Sequence, residues 1–358
     1  MSIALSCTAV AQYANLEQDW RGLEQHANTN FFLSWAWVQN WLTLYGHLAH
    51  VLALYQDQEL FGLTLIVKKD RKRFKVLPEQ HIHLMRTGCE AKDQIWIEYN
   101  DILVKKGFEE LGLKAVFEAF SQDSKAQHIH TGAIRQGRRE DINAFSDCLI
   151  KDVWQSPCYG VDLASLRAKN TPYLSTISRN TRYQVKKSQK AYEQAGPLAL
   201  RPATKQSEAK ALFTLAGEAH KQRWGQDSGF YNPEFVQFHE QFIETHWPEA
   251  CDLLGLYHGD KCIAVLYNYL HDIQVYFYLS GIHYEQDNQY KPGLIVHRLA
   301  IEHYLTKGYD FYDFLGGDAQ YKRSLATHHE DLCMIQLSKP NALNRMLHAL
   351  RQLKQSWR

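Results

Sequence analysis

Between Gln274 and Lys322 the spacing of apolar residues changes from strand-like to helical and back again. Val275-Tyr276-Phe277-Tyr278-Leu279 is an aromatic and β-branched run of strand length that closes on Ser280-Gly281. After a polar loop from His283 to Tyr290, Lys291-Pro292-Gly293 opens a segment whose apolar members Leu294, Ile295, Leu299, Ile301 and Leu305 recur at three- and four-residue spacings up to Gly308. Pro in the first turn and Gly past the last predict one helix. Asp310 to Leu315 reads as a second strand and ends in Gly316-Gly317-Asp318. The result is a βαβ unit. The first amides of its helix have no partner inside the helix and carry the positive end of the dipole, so this start suits a diphosphate. Gly293 puts no side chain in the way and Lys291 adds a full charge, although Pro-Gly also serves simply to begin a helix.

The same patterning extends over the rest of the chain. Helices are expected from Leu16 to His26 and after a cap at Ser34, with Trp37, Trp41, Leu44 and Tyr45 on one side as core. His50–Tyr55 and Leu60–Val67 form a hairpin, followed by a basic run from Lys68 to Lys75 that reads as a solvated loop. Strands near Ile82–Met85 and Gln94–Ile97, a helix from Phe108 to Phe120 and a strand around His128–Ile134 complete a first α/β half, and the charged piece Gln136–Asp141 reads as a connection. Beyond a strand near Val153–Leu163, the stretch Arg167–Lys190 holds seven Lys or Arg and no acid. Within it Arg179, Arg182, Lys186 and Lys190 make a cationic stripe if helical, either a solvated face or a site for phosphate or carboxylate groups. A helix from Glu208 to Arg223, an aromatic loop from Trp224 to Tyr231 that suits a substrate lid, and a helix opened by Asn232-Pro233 follow. The hairpin Leu253–Tyr257 and Cys262–Leu270 repeats the first one, each with an L-x-L-Y start and a three-residue polar turn. That repeat predicts two copies of one α/β domain, 1–150 and 151–358, with only the second carrying the Pro-Gly helix.

Composition narrows the function. With 358 residues and a net charge of +1, the chain shows no global attraction to DNA or to anionic membrane, so any polyanion site must be local. Seven scattered Cys without a Cys-x-x-Cys pair suit a reducing compartment. No basic leader and no uncharged apolar run of spanning length are present, and a cytoplasmic location is expected. His81-x-His83 and His128-x-His130 each place two imidazoles on one face of a strand, but no acidic or Cys partner stands at a telling spacing, and no metal is expected.

Several short motifs occur in a particular order: Asn30-x-Phe32-x-Ser34-x-x-Trp37-x-x-x-Trp41, Ser178-Arg179-Asn180-Thr181-Arg182, the Gly259-Asp260 hairpin, Tyr290-Lys291-Pro292-Gly293 and Phe314-Leu315-Gly316-Gly317-Asp318-x-x-Tyr321-Lys322. Over roughly residues 15 to 335 this order resembles the CelD-like acetyltransferase family, a branch of the GNAT superfamily associated with cellulose and exopolysaccharide production and related in fold to FemAB-type aminoacyltransferases. The resemblance implies tandem GNAT-like domains, each a mixed, mostly antiparallel sheet flanked by helices. It also implies an N-acyltransferase that moves an acetyl or other acyl group from acyl-CoA to an amine of a sugar, nucleotide-sugar or envelope precursor. The family phosphate loop Q/R-x-x-G-x-G/A is incomplete here, with one Gly and a Pro, and FemAB-type relatives use aminoacyl-tRNA. That donor is the alternative, and a binding module of polysaccharide machinery without catalysis is the third.

On the acyl-CoA reading, Leu279, Ser280 and Gly281 with Tyr290, Lys291, Pro292, Gly293, Leu294 and Ile295 hold the cofactor. Arg179, Asn180, Arg182 and Lys186 meet an acceptor carrying phosphate or carboxylate, with Trp224 and Tyr231 from the lid. Attack by an amine requires a proton acceptor. Asp318, on an open turn beside the cleft, is favoured over Asp313 and His220, and an Asp capping the next helix is the competing reading. Tyr321 returns a proton to the thiolate, and Lys322 contacts phosphate.

Overall fold

The computed structural model describes residues 2–356. By compactness the chain forms two units, one made of the residues up to Gln155 together with those from Asp331 onward, the other of Ser156–Glu330. In the first unit the order is β1 (Ile3–Ala9), α1 (Leu16–Glu24), α2 (Trp35–Tyr45), β2 (Ala49–Gln56), β3 (Glu59–Arg73), β4 (Leu77–Leu84), β5 (Leu103–Val104), α3 (Glu109–Gln122), β6 (Ala126–His130), β7 (Ile134–Arg135) and α4 (Gln136–Phe145). Strand β8 (Leu149–Asp162) carries the chain into the second unit. There follow α5 (Leu163–Ala168), α6 (Tyr173–Thr176), α7 (Arg179–Ala195), β9 (Leu198–Pro202), α8 (Gln206–Trp224), α9 (Pro233–His246), β10 (Cys251–His258), β11 (Lys261–His271), β12 (Gln274–Ile282), α10 (Pro292–Lys307), β13 (Phe311–Gly316) and α11 (Gln320–Leu325). Strand β14 (His328–Ser338) leads back to the first unit, which ends in α12 (Ala342–Ser356).

The two units share one plan. Within the first unit the strand order is β1-β2-β3-β4-β6-β14, and within the second it is β9-β10-β11-β12-β13-β8. Each is antiparallel except for one parallel pair, β4 with β6 and β12 with β13, and each pair is joined through a helix. A parallel pair requires such a crossover, whereas a hairpin suffices for antiparallel neighbours. The repeated hairpins agree down to a register shift at the same point, between Leu54 and Tyr55 and between Leu256 and Tyr257. This is the α/β architecture that the repeat predicts. The tail from Asp331, which the sequence placed with the second half, packs in the first unit, and its strand β14 pairs with β6 and β7.

Aromatic burial anchors the first unit. Trp20, Phe31, Phe32 and Trp37 are fully buried, the Trp20 indole donates to the Leu33 carbonyl at 2.8 Å, and Ser34 caps α2 by accepting from the Trp37 amide. The tryptophan stripe is therefore core. Three segments differ from the pattern-based expectation. The basic run Lys68–Arg73 is not a loop but the end of β3, paired with β4, and Phe74 and Lys75 at positive φ make the turn. Gln136–Phe145 is a helix with Ile142 as its buried residue, and Gln94–Ile97 is not a strand. Among the described residues, no helix is long and apolar enough to cross a membrane.

In the second unit α10 starts at Pro292 and ends where Gly308 turns left-handed at φ 89°, as its punctuation predicts. Helix α8 lies so close to β12 that a Cβ on Gly281 would sit 2.3 Å from the Ala216 Cα and 2.5 Å from its carbonyl oxygen. Backbone cannot yield as a side-chain tip does, so this glycine is demanded by packing. Gly281→Val should lower the unfolding free energy by about 3 kcal/mol or more, the upper range of overpacking. An unchanged urea midpoint would contradict this contact.

Candidate active site

Strands β12 and β13 are parallel neighbours for only three residues, Gln274, Val275 and Tyr276 opposite Phe311, Tyr312 and Asp313. Beyond that point the ladder stops, while β12 continues to Ile282 and β13 to Gly316. On the other side of β12, Tyr278 is a bulge, since Leu279 and Phe277 face the consecutive residues Tyr267 and Asn268. A bulge bends its strand and adds twist, which separates β12 from β13. Strand β13 ends just as abruptly, with Leu315 held at φ 58°, an uncommon conformation for a branched side chain. Lys322 supports that turn, its buried Nζ donating to the carbonyls of Leu315 at 3.2 Å and Gly316 at 2.7 Å.

The second unit also holds a cavity of ≈ 780 Å³, within the size range of small-molecule sites. Its walls come from the end of β12 (Ser280, Ile282), the loop after it (Tyr284, Glu285, Asn288, Tyr290), the start of α10 (Lys291, Gly293, Leu294, His297), α11 (Gln320, Tyr321, Ser324), α8 (Ala219, His220, Arg223, Trp224) and the first turns of α7 (Asn180, Thr181, Gln184). The α10 start presents fewer free amides than its sequence promises. Lys291 donates to the Ser188 hydroxyl at 2.7 Å, Pro292 has no N–H, and the Leu294 and Ile295 amides turn back to the Lys291 carbonyl at 3.1 and 3.3 Å. Among these positions the Gly293 amide is the one without such a partner.

Two histidines meet this space in different ways. His220 is half-buried, its Nδ1 lies 2.8 Å from the Ser228 hydroxyl, and burial lowers its pKa below the usual imidazole value. It is therefore neutral at physiological pH, with Ser228 fixing the ring. His297 is fully buried on α10, edge-on to Phe277 at 4.5 Å, 5.3 Å from Phe314 and stacked on Tyr321 at 5.0 Å. Its Nδ1 is 3.2 Å from the Tyr312 hydroxyl, its Nε2 has no protein partner, and burial holds its pKa near about 3. Burial pushes the Tyr321 phenol up, so it keeps its proton.

The parted ends of β12 and β13 and the start of α10 thus lie in the same unit as the cavity. Residues 179–323 match the family model of an acetyltransferase (GNAT) domain. No curated protein matches the chain. Among solved structures the fold is similar to that of FemX, at TM-score 0.61 and 12% identity over 97% of this chain and 100% of that one. It is also similar to L-PGS from Bacillus licheniformis, at 0.55 and 10% over 93% and 96%, and to a conserved protein from Bacteroides thetaiotaomicron, at 0.54 and 12% over 94% and 100%. At these identities the likeness is one of fold.

The second unit brings together some of the residues that the sequence singles out and sets others apart. Asn180, His220, Trp224, Ser280, Tyr290, Lys291, Gly293, Leu294 and Tyr321 all line the cavity. Leu279, Pro292 and Ile295 are buried in packing, and Gly281 is pressed on α8. Asp318 is exposed, paired with Arg323 and 3.4 Å from the Tyr159 hydroxyl, and it does not line the cavity. Asp313 is buried beneath the turn it braces, accepting from the Leu315 amide at 2.7 Å. On α7 the buried face is Thr181, Val185, Ser188 and Tyr192, which turns Arg179 and Lys186 to solvent, while Arg182 folds back to donate to the Leu174 carbonyl. Tyr231 packs under the Lys221 ammonium. His297, Arg223 and Tyr284 are absent from the sequence-based site, although a histidine in the apolar series Leu294, His297, Ile301 is the kind of signal that marks a buried functional group.

Lys322 is engaged by the turn. Lys322→Met should cost about 2 kcal/mol of stability, the usual range for hydrogen bonds to a charged group. Chemical denaturation reads this directly, and a variant of unchanged stability would return Lys322 to ligand binding.

Proposed function

We propose that this chain is an N-acyltransferase that moves an acyl group from a CoA thioester to a primary amine. The observation that carries the reading is the meeting, in one cavity, of the α10 start, the free end of β12, a neutral oriented His220 and a protonated Tyr321. Lys291 and the Gly293 amide are placed to take the diphosphate, and the parted edge of β12 offers backbone to the acyl arm. The acceptor ammonium loses a proton to His220, the amine nitrogen attacks the thioester carbonyl, and the carbon–sulfur bond breaks. The second proton of the attacking nitrogen passes through the Tyr321 hydroxyl to the departing sulfur, so the amide forms as CoA leaves as the thiol, and His220 returns its proton to solvent. No covalent enzyme intermediate is required, because a thioester is reactive once positioned.

The acceptor class follows from the walls. Trp224 and Tyr284 are 55% and 61% exposed, and Arg223 lies 5.2 Å from the Tyr284 ring. Flat aromatic faces beside a cation suit an amino sugar or nucleotide-sugar, or an envelope precursor carrying phosphate or carboxylate, consistent with a role in exopolysaccharide or cell-envelope synthesis. Base catalysis passes here from Asp318 to His220, since the carboxylate is held by Arg323 outside the cavity. Aminoacyl-tRNA is the second reading of the donor, favoured by the single free amide at the α10 start and the exposed Lys186, Lys187 and Lys190 of α7.

Gly293→Val tests the donor. Its Cβ already comes to 3.3 Å of the Ile282 side chain, so two further methyl groups enter the space beside the free amide. Acetyl-CoA affinity measured by calorimetry should fall at least about tenfold, one lost charge-assisted contact. Unchanged affinity, or no acyl-CoA binding to the native chain, moves the donor to aminoacyl-tRNA. His220→Gln should lower kcat/KM by about 10² to 10⁴. In the native enzyme kcat/KM should rise with pH through a value below about 6.5, because a base works deprotonated and burial depresses this one. Survival of that limb in His220→Gln would place the base elsewhere.

A further inference from the structure

Four histidines of the first unit lie outside the acyl-transfer chemistry. Strands β4 and β6 run parallel with His81 opposite His128 and His83 opposite His130, and alternation along a strand puts the four rings on one face. They touch, with His81 and His128 centroids 4.6 Å apart and His83 stacked on His130 at 4.6 Å. Glu79 precedes His81 by two residues and so shares that face. Its Oε2 lies 3.7 Å from His81 Nε2 and 3.5 Å from His128 Nε2.

We propose that Glu79, His81 and His128 form a binding site for a divalent transition-metal ion of the zinc class. Two imidazoles and one carboxylate are a donor set that zinc takes, and its bond lengths of about 2.0–2.2 Å set ligand atoms about 3.4 Å apart in a tetrahedron. The three ligand atoms already lie within 4.8 Å of one another. Both distal nitrogens have outer partners of the kind that orient metal ligands. His128 Nδ1 is 2.8 Å from the Ser338 hydroxyl, and His81 Nδ1 is 2.8 Å from His130 Nε2. Donation outward from Nδ1 leaves each Nε2 lone pair turned toward Glu79.

A cation already uses this donor set. Arg73 donates to His128 Nε2 at 2.7 Å and to the other Glu79 oxygen at 2.7 Å, and it is tied to Asn344 Oδ1 at 2.7 Å. The guanidinium stands where a metal would draw on the same electrons, so the two compete. A metal must displace the Arg73–His128 bond, while the Glu79 bond can persist through the second oxygen.

Zn²⁺ titrated calorimetrically into metal-stripped full-length protein should bind at one ion per chain. Glu79→Gln should weaken that binding at least about tenfold, and Arg73→Met should tighten it by a similar factor, the scale on which neighbours of a metal act. Because a buried substitution can unfold the unit, Co²⁺ added to the native chain is the independent measurement. Intense visible bands from a four- or five-coordinate ion support the site. The weak spectrum of hydrated Co²⁺, no Zn²⁺ binding, or an affinity unchanged in Glu79→Gln or Arg73→Met overturns it.

Discussion

A parallel ladder that stops after three residues is what the second unit is organised around. Ending a ladder early costs free energy, since each backbone N–H or C=O that leaves it wants another partner. The opening persists because both strands are held from outside. Strand β12 is paired along nearly its whole length with β11, and β13 is paired with β8. The bulge at Tyr278 turns one strand away, the Leu315 turn stops the other, and Asp313 and Lys322 fix that turn from the two sides of its backbone. Substitutions at these supports act on the cavity without touching a ligand.

Duplication supplies an internal comparison. In the first unit the counterparts of β12 and β13 are β4 and β6, and they stay paired up to His83, next to the end of β4 at Leu84. Nothing there resembles the gap after Tyr276. The same plan thus gives an open pair in one copy and a closed one in the other. What differs is local: β12 runs on past its last partner through Phe277 to Ile282, whereas β4 ends with the ladder.

Much of this was legible in residue order, and the failures have physical causes. Strand–helix–strand punctuation around Pro292 and Gly308 located α10, because backbone demands of Pro and Gly are local. The repeated L-x-L-Y hairpin revealed the duplication, since a bulge at one point constrains side chains on both strands. The sequence reads Asp318 as facing the cleft, whereas the structure pairs it with Arg323, because the direction of a residue after Gly-Gly depends on a turn that sequence does not specify. Lys322 reads as a phosphate ligand by charge, yet its ammonium donates to two carbonyls at the strained end of β13. The basic run Lys68–Arg73 lacks the apolar alternation of a strand because both its faces are largely solvated, and only pairing with β4 makes it one. Glu79 escaped notice as a partner of His81 and His128 because its relation to His128 exists only once β4 and β6 are aligned.

These cases separate two kinds of buried histidine. His297 is isolated among Phe277, Phe314 and Tyr321, with one nitrogen bonded and the other without a protein partner at the cavity wall. A neutral imidazole in that position can donate or accept one hydrogen bond and can hardly take a proton, since charging it would leave an ion in apolar surroundings. It is suited to positioning a substrate or the Tyr321 ring, not to serving as the base. His220 is half-buried and oriented by a hydroxyl, and burial lowers its pKa without enclosing the ring completely. In the proposed acyl transfer, the less buried of the two histidines is therefore the one suited to carry the proton, and the more buried one to shape the wall beside it.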